Sequence, residues 1–327
     1  MPEATIRDVA HRAQVSVASV SRVLNGLGNV SEQTRNRVTD AVQALGYVPH
    51  AGARSLSLSR TNAIGVVLPD LHGEFFSEIM RGMDREASAR GYLLLLSNMH
   101  AGNGQSDGAL RAMRGRVDGL LVMAPHLAEA DLAAALPTGI PTVLINTRGH
   151  AGGHPSIRLD NAAGVRAVIE HLAASGRRRL VHIAGPAGNF DAQQRSRACI
   201  EAAAGAGLEL EIVQGDFEEQ SGAAAVTALL EAGRQFDCIF AANDMMALGA
   251  LHALRNGGRR VPEDVAVAGF DDIPLAGLLG LTTVRVRIAE LGKRTLERLI
   301  AILEGGSDRS DELHAPELVI RSTTGAA

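Results

Sequence analysis

Between residues 63 and 269 the chain repeats one pattern: a short apolar run, a segment with helical apolar spacing, then another run. The runs fall at 64–68, 92–96, 119–123 and 142–145, and again at 180–184, 210–213, 238–241 and 265–269. Helical segments near 75–90, 105–115 and 128–136 separate the first four, with others near 161–175, 191–206, 219–232 and 244–256 in the second series. A strand that is apolar without alternation is covered on both faces, which belongs to a parallel sheet with helices on either side. The pattern therefore predicts an α/β fold with two doubly wound parallel-sheet lobes. A length of 327 residues suits two or three domains.

After the second series come a strand-like segment with a long helix, 282–305, and a final segment, 317–323, neither with an evident strand partner. The chain is thus expected to cross between the lobes more than once, leaving a hinged cleft. The stretches 101–108 and 149–156, rich in Gly, His and Ser, read as surface loops.

The first 48 residues have a different grammar. Thr5 and Asp8 make a capping pair, and Ile6, Val9, Ala10 and Ala13 form one apolar face of a first helix. Ser16 caps a second helix whose inner side is Val20, Val23 and Leu24, which leaves Val17, Ala18, Ser21, Arg22 and Asn25 on the outer side. Ser31 starts a third helix with the stripe Val38, Ala41, Val42 and Leu45, and Gly46 ends it. Two helices at a tight turn occur as simple packing hairpins too; a third capped helix makes the unit a compact helix-turn-helix head. In such a head the start of the second helix meets base edges. Arg22 suits a guanine, and Val17 and Ala18 suit thymine methyls; Thr5, Ser16, Ser21, Asn25, Asn29, Ser31 and Thr34 are the candidate phosphate contacts. Seven arginines oppose four acids in the first 60 residues, whereas 25 Lys and Arg oppose 32 Asp and Glu in the rest, a basic head on an acidic body.

With Tyr47-Val48-Pro49-His50-Ala51-Gly52-Ala53-Arg54-Ser55-Leu56 following, residues 4–60 resemble the DNA-binding head and hinge of the LacI/GalR family of bacterial transcription regulators. The body resembles that family's core, which is like a type I periplasmic binding protein. The resemblance implies a head over 1–48, a hinge helix over 49–60 and an effector-binding, dimerising core over 61–327. Lobe 1 would take about 62–157 and 288–316, lobe 2 about 158–287 and 317–327. It also implies that Leu56 wedges into the minor groove of a pseudo-palindromic operator and kinks it.

Ligands of open α/β sheets sit beyond the carboxyl ends of the strands. Those ends supply Asp70, Glu74, Phe75, Phe76, Asn146, Asp191, Arg195, Phe217, Asn243 and Asp271, a lining of carboxylates, amides, one guanidinium and flat apolar walls. It suits a small polyhydroxylated or heterocyclic ligand. Gly185-Pro186 with Arg195, Ala242-Asn243-Asp244, and Gly269-Phe270-Asp271-Asp272 match the family's ligand-contacting signatures. The chain departs from the family at Ala198 and Cys199, where Gly and an aromatic are usual, and at Gly73-Glu74, which replaces Asn-Pro. Glu74 has two readings, helix cap or acidic ligand contact, with capping favoured; Asp244 and Asp272 are read as structural acids.

An enzyme or a transport receptor built on the same two-lobe body is the alternative, and the DNA-reading head speaks against a receptor. Nothing in the chain reads as a nucleophile–base series, a metal cluster or a phosphate loop, and Asp271 and Asp272, being adjacent, point opposite ways if extended. His72, His182 and His252 lack metal spacing, and Cys199 and Cys238 lack the spacing of a metal site or a redox motif. With no charged-then-apolar leader and no apolar run near 18 residues, a cytoplasmic protein is expected. The chain thus reads as a homodimeric repressor that needs no cofactor or membrane and is controlled by a small-molecule effector, a sugar or sugar derivative.

Overall fold

The computed structural model describes residues 4–26, 30–48, 60–99, 106–149, 151–307 and 309–325; Asn29, Leu56 and the expected hinge helix lie outside them. Two compact units divide the chain, Met1–Asn62 with Arg116–Asp118, and the remainder from Ala63.

In the first unit, α1 (Ile6–Ala13), α2 (Val17–Leu24) and α3 (Glu32–Leu45) close around Val9, Ala10, Ala13, Val20, Val38, Ala41 and Tyr47. Thr5 and Asp8 complete a reciprocal capping box, with Asp in the place of the usual Glu. Ser16 and Ser31 accept from the backbone N–H groups of Ser19 and Thr34, satisfying donors that the first helical turn leaves orphaned. Gln14, left-handed at φ 52°, turns the chain between α1 and α2, and Gly46 ends α3 at φ 57°.

The second unit holds two parallel sheets. Lobe 1 contains β1 (Ala63–Leu68), α4 (Glu74–Ala89), β2 (Leu93–Asn98), α5 (Ser106–Met113), β3 (Gly119–Met123), α6 (Glu129–Ala135), β4 (Thr142–Ile145) and β5 (Ser156–Leu159). The chain then enters lobe 2 with α7 (Asn161–Ala174), β6 (Arg179–Ala184), α8 (Phe190–Ala206), β7 (Glu209–Gln214), α9 (Glu219–Glu231), β8 (Cys238–Ala241), α10 (Asp244–Asn256), β9 (Ala266–Ala268) and α11 (Pro274–Leu278). It continues through β10 (Thr283–Arg285), α12 (Ile288–Leu303), β11 (Asp311–His314) and β12 (Glu317–Val319). The strand orders are β11-β5-β4-β3-β1-β2 and β7-β6-β8-β9, parallel throughout.

Three strand expectations change. Part of the presumed loop 149–156 and the residues after it form β5, which runs to Leu159, past the lobe boundary expected at 157. β11 joins the same sheet beside β5, its Asp311 carboxylate accepting from Ser156 and Arg158. The two late segments without evident partners pair with each other: β10 and β12 run antiparallel, with Thr283 opposite Val319. That pair is fastened to lobe 2 through Thr323, whose hydroxyl accepts from Thr282 N at 2.8 Å and donates to Val267 O at 2.7 Å.

The expected crossings therefore occur after β5, after β10 and after β11. Helix α12 returns to lobe 1 and packs on α4 so closely that a Cβ on Gly82 would lie 1.9 Å from Ala289 O. β2, at the sheet edge, keeps Leu93, Leu95 and Leu96 exposed rather than covered on both faces.

Candidate functional site

On the head, Val17, Ala18 and Arg22 are exposed together on the outer side of α2, while Val20 is fully buried beneath. Their spacing follows from Ser16: by capping α2 it fixes where the helix starts and so which residues lie in its first turn. The hydroxyls of Thr5, Ser16 and Ser31 are engaged in caps, and Thr34 accepts from Ser31 at 3.0 Å. Ser21 accepts from Asn25 Nδ2 at 3.3 Å. These groups hold the helix ends, and Thr5, Ser16 and Ser31 stay exposed while they do so.

In the core, a cavity of about 380 Å³ lies at the carboxyl ends of both parallel sheets. All ten residues expected at the cleft line it: Asp70, Glu74, Phe75, Phe76 and Asn146 from lobe 1, and Asp191, Arg195, Phe217, Asn243 and Asp271 from lobe 2. Three of them have left-handed backbones, Asn146 (φ 45°), Phe217 (φ 77°) and Asp271 (φ 120°). Such conformations cost roughly 1–3 kcal/mol each and persist where the surroundings force them. Gly185 makes room for the Phe217 ring, which a Cβ there would meet at 2.4 Å.

Arg195, 4% exposed on α8, is fixed from several sides. Its Nε donates to Asn161 Oδ1 at 2.8 Å, Nη1 donates to Ala242 O at 2.5 Å, and its Cζ lies 3.8 Å from the centroid of the Phe270 ring. Nη1 is also 3.6 Å from Asp271 Oδ1, close enough to pair charges but not bonded, and that oxygen has no hydrogen-bond partner. Burial drives the Asp271 carboxyl upward to about 7, and the charge of Asp191 adds to the rise while Arg195 opposes it. Asp191, also buried, is raised by burial against the pull of Arg195 and of Asn161, whose Nδ2 donates to it at 2.7 Å.

Across the cavity, Asn146 is 2% exposed; its Oδ1 accepts from Leu159 N at 3.1 Å while Nδ2 has no partner. A buried unpaired acceptor and a buried unpaired donor on the wall of one cavity are an unusual expense, since each costs about 1–3 kcal/mol. A ligand hydroxyl, donor and acceptor at once, satisfies either.

Other expected residues are already engaged. Asn243 caps α10, accepting from Met246 N at 3.0 Å, and donates to Phe217 O at 2.8 Å, so its amide shapes the wall. Asp70 accepts from the N–H groups of Leu71 and His72. Glu74 is not a cap: Gly73 holds the N-cap position of α4 without a side-chain bond, and Glu74 opens the helix at the cavity wall. Phe75 and Phe76 meet edge to face, 5.4 Å apart.

Asp244 and Asp272 are structural, as expected, but neither is a side-chain cap of the next helix. Asp244 accepts from Thr283 Oγ1 at 2.5 Å and Ile273 N at 2.9 Å; Asp272 pairs with Arg285 at 2.6 Å and Arg321 at 2.7 Å. His182 is a core residue stacked on Phe240, bonded to Phe240 O and Ser196 Oγ, and burial lowers it to about 4. Burial raises the Cys199 thiol to about 12 and the Cys238 thiol further, leaving both inert.

Several residues at or behind the cavity escaped the sequence reading, among them Asp216 and Glu218 on its wall. Asn161, at the start of α7, links Asp191, Gln194 and Arg195. His126, beyond β3, lines the cavity with a buried Nε2 that has no partner, and burial lowers its pKa. Among the described residues no helix is long and apolar enough to cross a membrane, and no group of three or more His, Cys, Asp or Glu could hold a metal ion.

Residues 169–324 match a periplasmic binding protein-like domain, and residues 5–50 match the bacterial regulatory proteins of the lacI family. A ribose operon repressor of Halalkalibacterium halodurans is 35% identical over 324 residues, 98% of this chain and 97% of that protein. The Lac repressor dimer bound to operator and the anti-inducer ONPF has a TM-score of 0.90 at 29% identity, covering 99% of this chain and 100% of that one. The transcriptional regulator CelR with cellobiose has a TM-score of 0.72 at 30% identity, covering 98% and 99%. A three-helix DNA-reading head, a two-lobed ligand-binding core and this full-length likeness together leave one assignment: the chain belongs to the lacI family of bacterial regulatory proteins, DNA-binding transcriptional regulators rather than enzymes.

Proposed function

We propose that the chain is a homodimeric repressor, acting on chromosomal DNA in the cytoplasm, whose operator affinity is set by a sugar or sugar derivative bound between the lobes. One observation carries the ligand reading: Asp271 Oδ1 and Asn146 Nδ2, one from each lobe, are buried without partners on the wall of the same cavity. A polyol that satisfies both must bridge the lobes, so its affinity depends on how far they close. That dependence is the differential binding an allosteric ligand requires. Relatives named for ribose operon repression and for a cellobiose complex support a sugar. The exposed leucines of edge strand β2 support a partner copy, because large apolar side chains left in solvent at a sheet edge invite a covering surface.

Val17, Ala18 and Arg22 read base edges. Thr5, Ser16, Ser21, Asn25, Asn29, Ser31 and Thr34 position phosphates, and Leu56 wedges the operator at its centre. Core closure changes the spacing of paired hinge segments and so DNA affinity. The division into head 1–48, hinge 49–60 and core 61–327 follows from the same reading.

A thermal-shift screen of sugars, sugar acids, nucleosides and purines tests the ligand class, since a true ligand at about 100 times its Kd adds about 2.7 kcal/mol of stability. Arg195→Ala should abolish the shift while operator binding without ligand survives in gel retardation; a retained shift would move the ligand out of this cleft. Arg22→Ala should cost about 1–3 kcal/mol of operator discrimination, read by titrating operator and mutated operator; equal discrimination would end the base-contact role.

A further inference from the structure

The cavity carries far more negative than positive charge. Asp70, Glu74, Asp216 and Glu218 line its outer part and Asp191 and Asp271 its interior, whereas Arg195 is its sole lining Lys or Arg among the described residues. That one guanidinium is held by the fold on several sides. Nε and Nη1 bond to Asn161 and Ala242, one face lies against Phe270, and its charge stands beside the two buried acids.

Helix starts would ordinarily invite an anion, because the positive end of the helix dipole and unpaired N–H groups converge there. Here the chain's own acids take those places: Glu74 lies in the first turn of α4, Asp191 in that of α8 and Asp244 in that of α10. Asn189 and Asn243 fill the cap positions of α8 and α10. An arriving phosphate or carboxylate would find these helix ends occupied by the chain's own side chains and the carboxylates of Asp70, Glu74, Asp216 and Glu218 around it. The three buried lining atoms without a partner, Asp271 Oδ1, Asn146 Nδ2 and His126 Nε2, are matched by hydroxyls.

We infer that the cleft selects an uncharged polyhydroxylated ligand and rejects the same ligand once it carries a phosphate or carboxylate group. The inference rests on the proposed sugar-binding role of the cleft and narrows it. It makes the regulator a sensor of the free sugar, with the class of reaction that consumes its effector being phosphorylation or oxidation to an acid.

Calorimetric titration of the full chain with pairs of probes tests it: ribose against ribose 5-phosphate, glucose against glucose 6-phosphate and gluconate, adenosine against its 5′-monophosphate. At least one neutral member should bind, and its charged counterpart should bind at least tenfold more weakly. That ratio should shrink in the Glu74→Gln, Glu218→Gln double variant and in high salt, because charge repulsion is screened whereas a steric clash is not. A charged member that binds as tightly as its parent, with binding lost in Arg195→Ala, overturns the inference but keeps the cleft as the ligand site. A ratio unmoved by both the double variant and salt also overturns it, since shape alone would then exclude the charged group. Failure of all the probes would instead remove the sugar reading of the cleft, and the inference with it.

Discussion

Asp271 and Asp272 are neighbours in the chain, yet they belong to regions with opposite chemistry. Behind the cleft, Asp272 is held by Arg285 and Arg321, and Asp244 accepts from Thr283 and Ile273. On the cavity side, Asp271 has only a 3.6 Å charge contact with Arg195 and an unpaired oxygen. The first region spends its carboxylates on the fold; the second leaves hydrogen-bonding capacity unused. Saturated buried polar groups mark structure, and unsatisfied ones beside a cavity mark a place where something else must bind.

The largest expected effect lies behind the cleft. Asp244→Ala strands two buried donors, so chemical denaturation should show a loss of roughly 2–6 kcal/mol, at about 1–3 kcal/mol for each unpaired group. A loss under about 1 kcal/mol would erase the distinction between the two regions.

Asp271→Asn should do the reverse. Its shape is kept and a buried carboxylate is removed, so the ligand-free fold should be no less stable than wild type, while ligand affinity in calorimetry falls by about 1–3 kcal/mol. A destabilised ligand-free variant would make Asp271 structural, like Asp272.

The last effect is a slope with pH. Burial raises the Asp271 carboxyl in the folded state to about 7, above its unfolded value. Between roughly pH 4 and 7 the folded form therefore holds the proton more tightly, and this contribution to stability is full below the unfolded pKa and lost as pH rises through 7. Stability of Asp271→Asn relative to wild type should accordingly improve from pH 4 to 8 in parallel melts. A flat difference would mean that the carboxyl titrates normally and is less desolvated than its geometry implies.

Much of the site was legible because one rule about strand ends reached most of it. Applied after β1, β4, β6, β7, β8 and β9, it found ten residues that line a single cavity. Applied equally after β3 it would have found His126. Asn161 was out of reach because it follows β5, and β5 (Ser156–Leu159) is too short and too polar at Arg158 to read as an apolar run. β11 (Asp311–His314) was hidden for a related reason: as an edge strand with half-exposed residues it can be polar, and its Asp311 is there to bind Ser156 and Arg158. The β2 leucines mislead in the opposite sense, since an exposed edge carries the composition of a buried strand.

By itself the sequence determined whatever depends on neighbours within a few residues: the caps at Thr5, Ser16 and Ser31, the start of the helix that carries Arg22, and the alternation of strands and helices that dictates two parallel lobes. These are short-range hydrogen bonds and periodicities, and each is written where it acts. Only the tertiary structure decided that β10 and β12 would be partners, that Asn243 would be consumed by the wall it lines, and that Asp271 rather than Asp272 would keep an unpaired oxygen. Those outcomes depend on which distant groups arrive within about 3 Å of one another, a matter of folding that a local pattern cannot carry.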